Sequence, residues 1–204
     1  MRNKHIKKLP ALLLSCFLMP GCYKDYTNFY PDKEEPGLSI FSNRQNNIMS
    51  CFIEGKPWRT DSRTTSFFSR ISYEVYITKQ ETNSLSDTII ISWSGYYSEN
   101  KDFNRDITLV LPVAKNFGQR ELSALQGQRL SIGAGNGYFT TNIDLNMNNA
   151  KGSGSIYFHS ARFDSISPGF YSGSMSGLFE ADFNSFKILK GRFDHTMTAD
   201  QIQF

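Results

Sequence analysis

Apolar and polar residues alternate along most of the chain after about Met49. A period of two places one set of side chains against a core and the other in water, as in a half-buried β-strand. The alternation is clearest in residues 71–78, 107–111 and 142–148. Residues 88–93 carry apolar side chains at both odd and even positions, so they predict a more deeply buried strand.

Segments rich in Gly, Pro, Asn and Ser separate these runs, at residues 54–57, 83–87, 133–137 and 151–154. Such segments are typical of turns, and the pattern predicts a short helix only around residues 119–126. The regular spacing predicts an all-β domain, and our first expectation is an antiparallel β-sandwich of roughly eight to ten strands. The alternative is a closed, lipocalin-like β-barrel.

The first 21 residues follow a different pattern. A basic head is followed by an apolar stretch at residues 9–19, and Gly21 and Cys22 come directly after it. The stretch is too short to cross a bilayer as a helix, which takes roughly 20 apolar residues. A basic head, a short apolar core and a small residue at the end are typical of a secretory signal. Residues 1–21 are therefore predicted to be a signal peptide.

The end of this signal, Leu-Met-Pro-Gly-Cys at residues 18–22, resembles the lipobox of bacterial lipoproteins. The resemblance implies that cleavage falls between Gly21 and Cys22 and that Cys22 is acylated. Two or more acyl chains hold a protein stably to a membrane. We therefore expect a lipid-anchored protein of the outer membrane, with the periplasmic and cell-surface sides both open. Residues 22–47 are predicted to be a flexible tether, and residues 48–204 a single β-rich domain.

Charge and cysteine content change this picture only slightly. The formal net charge of +3 comes from 22 Lys and Arg against 19 Asp and Glu. Four of the basic residues and none of the acidic ones precede Cys22, so the chain from Cys22 onward has a charge of 18 − 19 = −1. A nearly neutral chain lacks the basic footprint of a nucleic-acid-binding protein. After Cys22 the sequence holds only Cys51, which excludes an internal disulfide and is expected to be buried.

Both ends of the predicted domain carry short motifs. Ile53, Gly55 and Trp58 form an Ile-x-Gly-x-x-Trp opening. Ser-Gly-Leu-Phe-Glu-Ala at residues 176–181 precedes Gly-Arg-Phe-Asp at residues 191–194. These motifs resemble a family of uncharacterised Bacteroidota-type outer-membrane lipoproteins. The resemblance implies an exported lipoprotein with a β-rich domain and no established activity. The tripeptide Arg-Phe-Asp also occurs at residues 162–164, and two such strands side by side would pair Arg with Asp.

The residues that usually carry chemistry form no catalytic pattern. His159 and His195 have no Cys or Glu at metal-ligand spacing, and we expect a surface or cross-strand role for both. Paired carboxylates could act as a glycosidase site, but the sequence does not single out a pair. We therefore expect a non-enzymatic protein with no metal or cofactor.

Residues 95–105 are predicted to form an exposed loop, and loops often carry function. Its candidate ligand contacts are Tyr96, Tyr97, Phe103 and Arg105, which suit a sugar face or a protein partner. The leading hypothesis is thus a binding or accessory module for a glycan or protein. One alternative is a lipocalin-like carrier of a small apolar ligand, and the other is an enzyme with an unrecognised carboxylate site.

Overall fold

The computed structural model describes residues 29–60, 75–82, 85–97, 100–133, 135–142, 150–167 and 170–204. Gly21 and Cys22 lie outside the described residues, and so do residues 71–74 and 143–148 of the alternating runs. The predictions made for these positions stay predictions.

Almost all of the regular structure is β-strand, which confirms the all-β class. The strands are β1 (Ile48–Ile53), β2 (Lys56–Thr60), β3 (Val75–Glu81), β4 (Ser86–Tyr97), β5 (Asn100–Ala114), β6 (Arg129–Ile132), β7 (Tyr138–Thr141), β8 (Lys151–Ser167), β9 (Phe170–Phe183), β10 (Phe186–Met197) and β11 (Ile202–Gln203). Within the described residues, the one α-helix is α1 (Gln119–Ser123), which lies where the short helix was predicted, and a 3₁₀ helix spans Ala199–Gln201.

Eight of the strands close into an antiparallel barrel. The hydrogen-bonded order is β4-β2-β1-β10-β9-β8-β7-β5, and β5 pairs again with β4. The sandwich prediction is therefore wrong, and the closed-barrel alternative is confirmed. The same alternation of apolar and polar residues serves both architectures, so the difference lies in which strands pair rather than in the pattern.

The three remaining strands extend this barrel. β2 and β3 pair with the same edge of β4, where Thr60 is opposite Gly95 and Val75 is opposite Trp93. β11 adds to β3 in parallel, and β6 pairs with β8 next to β7, which is equally short. At two places in the barrel wall, two short strands therefore pair with the same edge of one long strand. These are β2 and β3 on β4, and β6 and β7 on β8.

Aromatic side chains fill the inside of the barrel. The Trp93 ring is stacked on Phe179, with 6.2 Å between ring centroids, and lies 5.7 Å from the Phe193 ring. Phe139 and Phe158 extend this cluster toward β7 and β8. These side chains are fully buried, as expected for a barrel of eight strands whose interior is filled by its own residues.

Residues 29–47, the N-terminal segment, pack on the outside of this barrel. Leu38 is fully buried, and Pro31 forms a β-bridge with Ser39. Two residues of β10 hold the segment. Arg192 forms ion pairs with the carboxylates of Asp32 and Glu35. The Asp194 carboxylate accepts hydrogen bonds from residues 42 and 44–46. This packing differs from the flexible tether predicted for residues 22–47, of which residues 22–28 lie outside the described part.

The Gly-Arg-Phe-Asp motif of β10 is explained by these contacts. Gly191 lies against the Phe179 ring, and a Cβ added there would be 2.3 Å from a ring carbon. Phe193 enters the core, while Arg192 and Asp194 point to the opposite face. The predicted pairing with the second Arg-Phe-Asp, at residues 162–164, does not form because β9 lies between β8 and β10.

Candidate functional site

A cleft opens in the barrel wall between β5 and β6. β5 pairs with β7 over residues 107–110 only, and within the described residues its last four positions pair with β4 alone. β6 pairs with β8 and has no described partner on its other edge. The two strands therefore face each other across a gap that no hydrogen-bonded strand fills.

The glycine-rich turn between β6 and β7 creates this gap. On β8, Ile132 is opposite Gly154 and Phe139 is opposite Gly152. The described residues between β6 and β7, which are 133 and 135–137, therefore leave the sheet. Gly137 has φ +111, and a Cβ there would lie 2.4 Å from the Val110 carbonyl oxygen. Only glycine adopts this backbone without strain at so close an approach. The turn was predicted from the sequence, but its effect on the wall was not.

The cleft encloses about 390 Å³ and has mainly apolar walls. One wall is formed by Ile89 and Ile91 of β4 and by residues 111–113 of β5, and the other by residues flanking α1 and by β6. The apolar lining residues are Ile89, Ile91, Leu111, Pro112, Val113, Phe117, Leu125 and Leu130. A proline has no amide hydrogen for a β-ladder, so Pro112 fits a strand edge that is left open on one side.

Arg129, Ser131 and Asn136 form the polar part of the lining. Arg129 is exposed, and its guanidinium carbon lies 5.5 Å from the centre of the Tyr157 ring. No carboxylate lines the cleft, and no described Asp or Glu forms an ion pair with Arg129, in contrast to Arg192. The polar part of the cleft therefore presents a positive charge that remains available to an anion.

Hydrogen bonds fix the wall of the cleft that is formed by the residues flanking α1. Gln119 and Ser123 of α1 donate to the Phe163 carbonyl oxygen of β8, and Leu122 is buried. The Phe117 carbonyl accepts a hydrogen bond of 3.0 Å from Lys79 of β3. These contacts hold the chain between β5 and β6 against two separate strands, so the walls of the cleft are positioned by the barrel itself.

The buried carboxylate of Asp87, near the beginning of β4, forms ion pairs with two partly exposed lysines. Asp87 is 1% exposed, and its carboxylate lies 3.0 Å from Lys115 Nζ and 3.6 Å from Lys79 Nζ. The hydrogen bond to Asp87 raises the pKa of Lys115, so this lysine stays charged. Because Asp87 already has two cationic partners, it does not neutralise Arg129.

The ligand contacts predicted from the sequence lie elsewhere. Residues 95–97 and 100–105 are strand rather than loop. Tyr96 is 3% exposed, and its hydroxyl accepts a hydrogen bond from Arg59. Tyr97 packs partly against the core, and the side chains of Phe103 and Arg105 lie outside the described part. The exposed-loop prediction is wrong, and a role of these four residues in ligand binding stays a prediction.

The structure separates the two histidines. His159 is exposed on β8 beside the rings of Phe41 and Tyr157, which agrees with a surface role. His195 is 1% exposed inside the barrel, and burial lowers its pKa to about 3. The surface alternative predicted for His195 is therefore wrong, whereas its position opposite Met175 of β9 agrees with the cross-strand alternative. Cys51 is buried, as expected, and burial raises the pKa of its thiol well above the usual value.

Across the described ranges, no three His, Cys, Asp or Glu side chains are grouped in a way that could hold a metal ion. None of the described helices is long and apolar enough to cross a bilayer.

No protein-family model, no curated protein and no solved structure matches this chain. The resemblance to Bacteroidota-type lipoproteins therefore stays a prediction, and function has to be argued from the cleft.

Proposed function

We propose that this protein binds a small, largely apolar ligand with an anionic end in the cleft between β5 and β6. The observation that carries the proposal is the cleft itself, about 390 Å³ with eight apolar and three polar lining residues. Pockets for small molecules typically enclose about 300–1,000 Å³ and combine apolar walls with a few polar groups. The cleft matches the lower part of that range, which fits a ligand of modest size.

The lining determines the chemistry of the ligand. Val113, Leu125 and Leu130 are half-buried and offer aliphatic surface, so an apolar chain that binds there gains free energy by leaving water. The Arg129 guanidinium carries five N–H donors and suits a carboxylate or phosphate at the open side. An aliphatic chain with one acidic end group would satisfy both parts of the cleft.

This proposal favours the carrier hypothesis over a glycan-binding module. Sugar sites generally need aromatic faces beside many hydrogen-bonding groups, whereas the cleft holds one aromatic ring, that of Phe117. It also differs from a lipocalin-like cup, because Trp93, Phe179 and Phe193 fill the barrel interior. The ligand would enter from the side through the wall.

The proposal includes a location at the outer membrane through an acylated Cys22. A membrane anchor would hold an apolar-ligand carrier close to the lipids and lipid-derived acids of the envelope. The lipobox-like sequence at residues 18–22 supports this part of the proposal.

The test is a titration of the full-length protein with a fluorescent aliphatic carboxylate, followed by displacement with dodecanoate. Leu130→Trp should fill the cleft and weaken binding at least about tenfold, since a larger side chain would occupy the ligand volume. Leu189→Trp is the matched control, because Leu189 is 45% exposed on β10 and does not line the cleft. The proposal fails if no saturable binding occurs or if both variants bind like the wild type.

A further inference from the structure

Three methionines and one histidine lie together in the interior of the barrel. They come from three adjacent strands, with Met49 on β1, His195 and Met197 on β10, and Met175 on β9. Each of the four residues is no more than 1% exposed. None of them lines the cleft, so this cluster is independent of the proposed ligand site.

The strand register places the four side chains on one face. Phe193 contacts the interior ring of Trp93, and His195 and Met197 share its face because side chains alternate along a strand. Met175 is directly opposite His195, which corresponds to about 5 Å between Cβ atoms. Met49 is opposite Phe193 and therefore diagonal to His195, within about 7–8 Å. Met197 lies two residues beyond His195, about 7 Å along the strand, so flexible methionine side chains can bring the sulfur atoms of Met175 and Met197 to the His195 ring. Met49 is about 13 Å from Met197 along the sheet, so these two side chains do not reach one metal ion.

The imidazole of His195 has an unused coordinating atom. Its Nε2 is buried and makes no hydrogen bond, whereas more than about 90% of buried polar groups have a partner. Burial also keeps the ring neutral at physiological pH, and a neutral imidazole nitrogen can carry a free lone pair. The neighbouring carboxylate of Asp194 points to the other face of β10, where residues 42–46 bind it.

From this arrangement we propose that His195, Met175 and Met197 form a binding site for monovalent copper. Thioether and imidazole ligands are soft and neutral, and soft ligands of this kind select Cu(I) over hard cations such as Mg²⁺ and Ca²⁺. The absence of a carboxylate ligand in the described cluster disfavours divalent ions, because a second positive charge would stay uncompensated in an apolar interior. Binding would supply the missing partner of His195 Nε2.

The test is an anaerobic titration of the full-length protein with Cu(I) in competition with the chromophoric chelator bicinchoninate. The wild type should withdraw about one equivalent of copper. Met175→Leu conserves volume and fold, and it should weaken copper binding at least about tenfold. X-ray absorption of the loaded protein should show both sulfur and nitrogen neighbours of copper. His159→Ala, which alters the exposed histidine, should bind like the wild type.

Two results would overturn the proposal. One is a wild type that withdraws no copper from the chelator, or a Met175→Leu and a His195→Gln variant that both retain wild-type affinity. The other is a loss of binding in Cys51→Ala with full binding in Met175→Leu. Cys51 lies two residues from Met49 on β1, so that second result would assign the copper to the thiol instead.

Discussion

Arg192 and Asp194 lie two residues apart on β10 and hold two different parts of the N-terminal segment. Arg192 Nη1 lies 2.6 Å from Asp32 Oδ2, a residue 160 positions earlier in the chain. The Asp194 carboxylate accepts backbone N–H hydrogen bonds of 3.0–3.2 Å from Arg44, Gln45 and Asn46, and one from the Ser42 hydroxyl. One strand of the barrel therefore fixes the path of the chain before β1.

Replacing this carboxylate should destabilise the protein. Asp194→Asn would present an amide NH₂ to backbone N–H groups that now donate to a carboxylate. We expect the free energy of unfolding to fall by about 2–4 kcal/mol, since hydrogen bonds to a buried charged group are among the stronger ones. Urea denaturation of the purified protein measures this change.

Asp164 gives a matched control, because it occupies the corresponding position of the other Arg-Phe-Asp and is exposed. Asp164→Asn should alter the free energy of unfolding by less than about 0.5 kcal/mol. Equal effects of the two substitutions would mean that Asp194 does not anchor the N-terminal segment.

The buried His195 should make stability depend on pH. Its pKa is lowered to about 3 in the folded protein by burial, against an ordinary value of 6.5. Between these values the unfolded chain binds a proton that the folded protein does not. Stability is therefore fully present above pH 6.5 and falls as the pH drops, by up to about 1.4 kcal/mol per pH unit.

The measurement is the free energy of unfolding at pH 7.5 and at pH 5, and the wild type should lose about 2 kcal/mol between them. His195→Leu should lose much less over the same interval, and His159→Leu should behave like the wild type. A pH dependence that is unchanged in His195→Leu would show that another group causes it.

Arg129 should determine the preference of the cleft for an anion. An exposed ion pair contributes about 1 kcal/mol, so dodecanoate should bind about fivefold more tightly than dodecanol. Arg129→Gln should remove this preference and leave dodecanol binding unchanged. Arg120→Gln, on the exposed side of α1, should keep it. Displacement titrations with the two ligands give both affinities, and an unchanged preference in Arg129→Gln would remove Arg129 from the site.

Cys22 should carry the membrane anchor. The intact mass of the protein extracted from membranes should equal that of residues 22–204 plus acyl groups. Cys22→Ala should lose the acyl mass, because the thiol is the predicted attachment atom. Cleavage at another position, with no lipid on the wild type, would contradict the predicted anchor.

The strands could largely be predicted from the sequence because their apolar residues face one core. Ile107, Leu109 and Leu111 are buried as the alternation predicts. Barrel closure could not be predicted, since it depends on β5 pairing with β7 as well as with β4. Hydrophobic patterning determines which face of a strand is buried, but it does not determine the neighbours of that strand.

The cleft was harder to predict than the strands. Its lining comes from β4, β5, the chain around α1 and β6, and residues such as Ile89 and Val113 resemble ordinary core residues in the sequence. Two signals could have indicated it. Pro112 interrupts the hydrogen-bonding capacity of β5, and the turn at residues 133–137 holds three glycines with positive φ. Together they mark the place where the wall opens.

The position of the bound ligand tests the central claim most directly. Methyl-labelled Ile, Leu and Val residues of the full-length protein can be followed by NMR during a titration with dodecanoate. The account predicts saturable shifts and ligand contacts at the methyl groups of Ile89, Leu111, Val113 and Leu130, with Ile53 and Ile188 unaffected. Saturable contacts confined to methyl groups outside the cleft, or no saturable change at any methyl group, would contradict it.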